Sequence, residues 1–100
     1  MTNEITQRYA QGMFELAKEE KSVEEKKKQA ESILETMNTC PDFALFLRAV
    51  KVTKQEKYEL IDRVFQKAVD HDMCSFMKLI IEKGRSYYMQ GIMEDYVKLA

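Results

Sequence analysis

Apolar side chains recur every three to four residues along most of this chain, the spacing that gathers them on one face of an α-helix. The pattern divides into six amphipathic segments separated by short links. These segments begin near residues 3, 22, 41, 53, 72 and 86. Three glycines and one proline are too few for the many turns of an all-β chain of this length. The sequence therefore predicts an all-α fold, a six-helix bundle.

Local signals for helix starts and ends support these boundaries. A Ser or Thr followed three residues later by Glu is a capping box, proline suits the first helical position, and aspartate can cap a helix amino terminus. In chain order these start signals are Ser22 with Glu25, Pro41, Thr53 with Glu56, and Asp72. Gly84 supplies the left-handed residue that commonly ends a helix.

The apolar spacing also predicts how far the helices extend and which one is most buried. The third helix is expected to carry apolar residues through Val50, and the fourth through Ala68. The fifth carries an apolar set between residues 76 and 81 that is too wide for one stripe, so we expect it to be central. The sixth is expected from about Ser86, although Gly91 weakens its start.

Length and charge narrow the class of protein. One hundred residues with 45% apolar side chains suit one domain, so we expect a single helical domain over residues 1–100. Sixteen basic and 17 acidic residues give a net charge of −1, which argues against nucleic acid as the main partner. The sequence has no leader-like amino terminus and no apolar run long enough to cross a bilayer. We therefore expect an untargeted chain with no direct membrane insertion.

Few residues in the sequence could carry chemistry. His71 lies between two aspartates in a predicted link, where it could act as a base or a metal ligand, although a solvated link residue is the favoured interpretation. Cys40 and Cys74 lack the spacing of a zinc or redox motif and are expected to be free thiols. The lysine run at 26–28 is expected on a solvated helix face, with contact to acidic lipid as the alternative. We expect no catalytic residue, metal or cofactor.

Two helix faces suggest a surface for a partner. Gly12 lies in the middle of the first predicted helix, where glycine is costly unless a second backbone approaches closely. Tyr9 and Leu16 flank it on the same face, while Ser75 and Leu79 share a face of the fifth helix. If the two helices lie side by side, these five residues would line a groove for an amphipathic helix. The alternative is that Gly12 only lets two of the protein's own helices touch.

Two blocks of sequence resemble a known family, the delta subunit of F-type ATP synthase, called the oligomycin-sensitivity-conferring protein in mitochondria. The segment Arg8–Ala17 (RYAQGMFELA) resembles the family's first-helix signature. The segment Phe76–Arg85 (FMKLIIEKGR), followed by Ile92–Tyr96, resembles its fifth-helix end, Gly-Arg turn and sixth helix. The resemblance covers essentially the whole chain in order.

The resemblance implies a non-catalytic stator component of the proton-translocating ATP synthase, peripheral on the cytoplasmic side of the bacterial cell membrane. In that family the amino-terminal domain binds the amino-terminal helices of α subunits, and one such helix lies in the groove between its first and fifth helices. A carboxy-terminal domain, expected to be absent from this chain, contacts the b subunits. By this resemblance Tyr9, Gly12, Ser75 and Leu79 would face the bound α helix. A free-standing helical adaptor that binds another amphipathic helix, and a small thiol or histidine enzyme, are the alternatives.

Overall fold

The computed structural model describes residues 2–100, which form six α-helices and no strand. The helices are α1 (Glu4–Glu19), α2 (Val23–Thr39), α3 (Pro41–Arg48), α4 (Lys54–Phe65), α5 (His71–Glu82) and α6 (Met89–Leu99). A short 3₁₀ helix, Ser86–Tyr88, precedes α6. The predicted all-α fold with six helices is confirmed.

Two of the predicted helix boundaries form as the local sequence indicates. The amide of Glu56 donates to the Thr53 hydroxyl, and the Glu56 carboxylate accepts from the Thr53 amide, so the capping box of α4 is complete. Gly84 adopts a φ of 73° after α5. The Gly84 and Arg85 amides then donate to the Ile81 and Ile80 carbonyls, which satisfies two carbonyls at the helix end.

The capping box predicted at Ser22 does not form. Lys21 adopts the left-handed conformation, with φ 56°, and in this turn the Ser22 amide donates to the Ala17 carbonyl at 2.8 Å. Ser22 then lacks the extended backbone of a typical N-cap, with ψ 22°, and its side chain does not cap α2. Its buried Oγ makes no hydrogen bond to any described residue. The link between α1 and α2 therefore takes its geometry from the end of α1.

Three other predicted boundaries are wrong by a few residues. Asp70, rather than Asp72, caps α5, because the Asp70 Oδ1 accepts the Met73 amide at 2.8 Å. Helix α3 ends at Arg48, and Val50 lies beyond it with 97% of its surface exposed. Helix α4 ends at Phe65, so Ala68 lies exposed in the following turn. Apolar character alone overextends α3 and α4 because exposed apolar residues also occur in loops.

The centre of the bundle is α6 rather than α5, which corrects the sequence prediction. Helix α6 packs closely against both α1 and α2, while α5 packs mainly against α4. The Tyr96 side chain is fully buried, its hydroxyl donates to the Val23 carbonyl at 3.1 Å, and its ring meets Phe14 edge-on at 6.5 Å. Because α6 fills the centre, one face of α5 stays exposed.

An ion pair between a buried lysine and a partly exposed aspartate joins α2 to the start of α5. The Lys26 side chain is only 3% exposed, and its Nζ donates to the Asp70 Oδ2 at 2.8 Å. Gln29 also donates to that oxygen and accepts from the Asp70 amide. The expected solvated position of the lysine run is therefore wrong for Lys26, although Lys28 is exposed. A buried ammonium needs such partners because removing its charge from water is costly.

Both partners of this pair have shifted pKa values. Burial opposes ionisation of Lys26, but the hydrogen bond and charge of Asp70, with the charges of Asp72 and Glu20, outweigh it and raise the lysine pKa. Burial likewise opposes ionisation of Asp70, but hydrogen bonds from Lys26 and the Met73 amide, with Gln29 adding to them, lower the pKa of its carboxyl. The pair is therefore ionised over the whole neutral range.

Candidate partner-binding groove

A groove of about 600 Å³ runs between α1 and α5. The backbones of these two helices do not pack closely, so the space between them is open along one side. All five residues that the sequence predicted for a partner surface line this groove. They are Tyr9, Gly12 and Leu16 on α1, with Ser75 and Leu79 on α5. The structure thus brings together two helix faces that lie 59 or more residues apart in the sequence.

The groove floor is apolar and its rim carries exposed aliphatic side chains. Met13 is buried beneath it, and the half-buried rings of Tyr9 and Phe76 lie 6.4 Å apart at an angle of 55°. Leu16 and Leu79 keep 38% and 42% of their surface exposed. Large aliphatic side chains left in water across an apolar groove are typical of a surface that another molecule covers.

Gly12 faces open space. A Cβ added at this position meets no atom within 4 Å outside the local helix backbone. The alternative that Gly12 lets two of the protein's own helices touch is therefore wrong, because neither α5 nor α6 approaches it that closely. A glycine in the middle of a helix costs about 1 kcal/mol relative to alanine. The chain bears this cost at an exposed point of the groove, where an approaching partner backbone would meet no side chain.

Charges differ between the two ends of the groove. The Arg85 guanidinium carbon lies 5.7 Å from the centre of the Tyr9 ring, which brings the end of α5 beside the first half of α1. Arg8 also lines the groove, and its guanidinium pairs with Glu4 at 3.0 Å. Asp72 lines the groove from the first turn of α5. Because α5 is about 18 Å long, Asp72 lies far from Arg85, and the groove is cationic at one end and anionic at the other.

Five further residues line the groove, and the sequence pattern did not single them out as partner-binding residues. They are Arg8, Met13, Asp72, Phe76 and Arg85. Helical spacing could have found two of them, because Arg8 precedes Gly12 by four residues and Asp72 precedes Ser75 by three. Phe76 also lines the groove, because its ring reaches across to Tyr9.

Of the residues considered for chemistry, His71 and Cys74 line one cavity beside α5, and Cys40 lies outside it. His71 is exposed at the first position of α5, rather than in a link, and Cys40 is exposed between α2 and α3. Burial, with the charge of Asp62 adding to it, raises the pKa of the Cys74 thiol, which disfavours the thiolate needed for nucleophilic chemistry. No group of three or more potential metal-binding side chains occurs within residues 2–100. The same range contains no helix with both the length and the apolar character to cross a bilayer.

Comparison with known proteins identifies the family. The family model described as "ATP synthase delta (OSCP) subunit" matches residues 5–100. The delta subunit of Clostridioides difficile (strain 630) is 33% identical over 99% of this chain and 55% of its own length. That of Alkaliphilus oremlandii (strain OhILAs) is 30% identical over 99% of this chain and 55% of its own length.

The similarity extends to a plastid protein, and it covers about the same share of each relative. The chloroplastic ATP synthase delta subunit of Galdieria sulphuraria is 30% identical over 93% of this chain and 52% of its own length. This chain therefore spans about half the length of the curated relatives that it matches. The match nevertheless runs through α1 to α6 without a missing helix. The chain belongs to the ATP synthase delta (OSCP) subunit family, whose members are structural rather than catalytic subunits.

Proposed function

We propose that this chain is a stator component of F-type ATP synthase that binds the amino-terminal helix of an α subunit in the α1–α5 groove, at the top of the catalytic head. Its work is mechanical, since it keeps the head from turning with the rotor. Such a role needs a slow off-rate rather than a reaction, and a Kd near 1 nM corresponds to about −12 kcal/mol. The chain would act on the cytoplasmic side of a bacterial membrane, as a peripheral part of the complex.

One observation carries this proposal. The groove combines exposed leucines, an apolar floor and a glycine with open space above it, on the two helices that the sequence singled out. A helix laid in the groove would cover Leu16 and Leu79 with its apolar face and approach α1 closely at Gly12. Among the described residues of the groove, no nucleophile forms a hydrogen bond to a base, so binding is the function that the groove supports best.

The charges at the two ends of the groove give the partner a preferred direction. A carboxylate on the partner helix would be attracted to Arg85, and a basic residue to Asp72. Arg85 makes no ion pair within the described residues, so its charge remains available to a partner. Reversing the partner would place like charges together at both ends. The groove therefore favours one orientation of the bound helix.

Linkage to the membrane sector belongs to a different part of the family's structure. By family resemblance the b subunits contact a carboxy-terminal domain, and this chain spans only about half the length of its relatives. We assign no b-subunit contact to residues 2–100. The proposed role of these residues is to bind the catalytic head.

The test is a calorimetric titration with a synthetic peptide of about 20 residues from the α-subunit amino terminus of the same organism. We expect binding at micromolar Kd or tighter. Gly12→Asp should weaken it by at least about thirtyfold, or about 2 kcal/mol, because its side chain would block the close approach of the partner helix and its carboxylate would be removed from water. Gln11→Asp is the matched control, since Gln11 is the exposed neighbour of Gly12 but does not line the groove.

The outcomes separate the stator role from its alternative. Binding that Gly12→Asp loses and Gln11→Asp keeps supports the stator role at this groove. Equal affinity in both variants would remove the groove from the proposal. No binding by a folded chain would leave the family assignment intact and favour an adaptor that binds a different helix.

A further inference from the structure

A second group of exposed apolar side chains lies away from the α1–α5 groove. Leu45, Val50 and Tyr87 keep 57%, 97% and 51% of their surface exposed. They line a cavity of about 550 Å³, formed by the end of α3, the start of α4 and the segment after α5. None of them belongs to the buried core, so the fold gains little from their apolar character. Exposed apolar side chains that gather around one cavity are typical of an interaction surface.

The rim of this cavity is cationic. Together with the three apolar side chains it forms what we call the Tyr87 patch, which consists of Leu45, Arg48, Val50, Lys54, Lys57 and Tyr87. No carboxylate lines the cavity, although the whole chain has a net charge of −1. Within residues 2–100, none of the three cations makes an ion pair. The patch is thus a local excess of positive charge around apolar surface.

Two of the cations are held in place without being neutralised. The Arg48 guanidinium carbon lies 4.5 Å from the centre of the Tyr87 ring, and this stacking fixes the guanidinium at the edge of the cavity. The Lys54 Nζ donates to the Glu82 carbonyl at 2.8 Å, which is an uncharged acceptor. Fixed charges lose less side-chain entropy when a partner binds, and arginine and tyrosine are frequent at the energetic centres of interfaces.

We propose that the Tyr87 patch is a second docking surface, which binds an acidic amphipathic segment of a partner protein. Apolar side chains of that segment would fill the cavity beside Val50 and Leu45, and its carboxylates would pair with Arg48, Lys54 and Lys57. The proposal does not depend on what fills the α1–α5 groove. It rests on the absence of carboxylates from the cavity lining and on the exposed apolar residues around it.

Two other occupants fit the patch less well. In a symmetric dimer of this chain the same patch would face itself, and the two sets of cations would repel each other. Acidic membrane surfaces attract clusters of four to eight basic residues, whereas the patch offers three around a cavity shaped for side chains. An acidic segment satisfies both the charge and the apolar surface.

Two synthetic helical peptides of about 16 residues test the proposal. Both carry one leucine stripe, flanked by glutamates in the first peptide and by lysines in the second. Binding to the ¹⁵N-labelled chain is followed by amide chemical shifts, which locate the site, and by titration. We expect the glutamate peptide to shift the amides of Val50 and Tyr87, and to bind at least about tenfold more tightly than the lysine peptide. Its affinity should fall several-fold between about 0.05 M and 0.5 M salt.

Variants make the test specific. Val50→Asp should weaken binding of the glutamate peptide at least about tenfold. It leaves the fold intact because Val50 lies almost wholly in solvent. Lys57→Glu should also weaken it, while Lys67→Glu, which makes the same charge change outside the patch, should not. Gly12→Asp should leave this binding unchanged, so failure here and failure of the α1–α5 groove are distinguishable.

Other outcomes would overturn the proposal. Equal binding of the two peptides would exclude charge recognition, and shifts confined to the α1–α5 groove would place the peptide elsewhere. Sedimentation that shows a dimer lost in Val50→Asp would make a second copy the occupant. Capture of the chain by anionic vesicles, lost in Lys57→Glu but kept in Lys67→Glu, would make a lipid surface the occupant.

Discussion

Replacing Gly12 by alanine should make the protein more stable and its groove less able to hold a helix. Gly12 lies in the middle of α1 and is exposed, and an added Cβ meets no atom within 4 Å outside the local helix backbone. The methyl group therefore causes no strain in the free protein. Alanine exceeds glycine in helix propensity by about 0.8–1 kcal/mol, and it also reduces the entropy of the unfolded chain. We expect Gly12→Ala to stabilise the fold by about 0.5–1 kcal/mol.

The same methyl group should weaken partner binding. It projects into the groove at the point where a bound helix would approach α1 most closely. Overpacking a close contact costs about 1–3 kcal/mol, which corresponds to a five- to 150-fold loss of affinity. If one methyl group both stabilises the fold and weakens binding, Gly12 serves binding rather than folding.

Two measurements check this prediction. Thermal unfolding should show a rise of about 2–8 °C, since 1 kcal/mol shifts the midpoint of a domain of this size by about 4–8 °C. Calorimetric titration with the α-subunit peptide gives the affinity. Gln11→Ala is the control, because Gln11 is exposed on the same helix outside the groove and should change neither quantity by much.

Either of two results would refute the reasoning. A destabilised Gly12→Ala would mean that the protein's own structure needs the glycine, against the open space found above it. A stabilised variant with unchanged affinity would mean that the partner does not approach α1 at Gly12.

Three further predictions concern the fold rather than the groove. The pKa of Asp70 is lowered in the folded protein and that of Lys26 is raised, so the stability that their pair contributes should be fully present between about pH 4 and pH 10. This contribution should be lost as pH falls through the lowered carboxyl pKa, or as pH rises through the raised lysine pKa. Asp70→Asn leaves the buried Lys26 ammonium without its main partner, so it should lower the free energy of unfolding by about 1–3 kcal/mol at pH 7 in denaturant unfolding. It should also flatten the dependence of the unfolding free energy on pH at acid pH, and an unchanged dependence would contradict this. Lys21→Gly should stabilise the fold by up to about 1 kcal/mol in the same assay, since glycine adopts a φ of 56° at a lower steric cost than lysine. A loss of stability would show that the turn after α1 tolerates lysine fully. Alkylation of Cys74 against pH should give a midpoint above the ordinary thiol value, and a midpoint below it would revive the thiol-enzyme alternative.

The number of helices and several of their ends could be predicted from the sequence because they depend on local interactions. Apolar spacing, the Thr53–Glu56 capping box and the left-handed turn at Gly84 each involve residues within a few positions of one another. Local signals fail where a neighbouring turn competes. Ser22 and Glu25 have the sequence of a capping box, yet the Ser22 amide donates to the Ala17 carbonyl at the end of α1. Aspartate is suited to both positions 70 and 72, and a contact with Lys26 accompanies capping at Asp70.

The sequence by itself determined the helical fold, the family likeness and the residues on each of the two helix faces that line the groove. Helical periodicity is enough for this, because it places Tyr9, Gly12 and Leu16 on one side of α1 whatever surrounds them. Only the tertiary structure decided that α6 rather than α5 fills the centre, that Lys26 is buried, and that Val50 lies exposed beside Tyr87. These features depend on contacts between residues that are distant in sequence, which no local pattern encodes. Packing therefore determined which faces stay open to a partner.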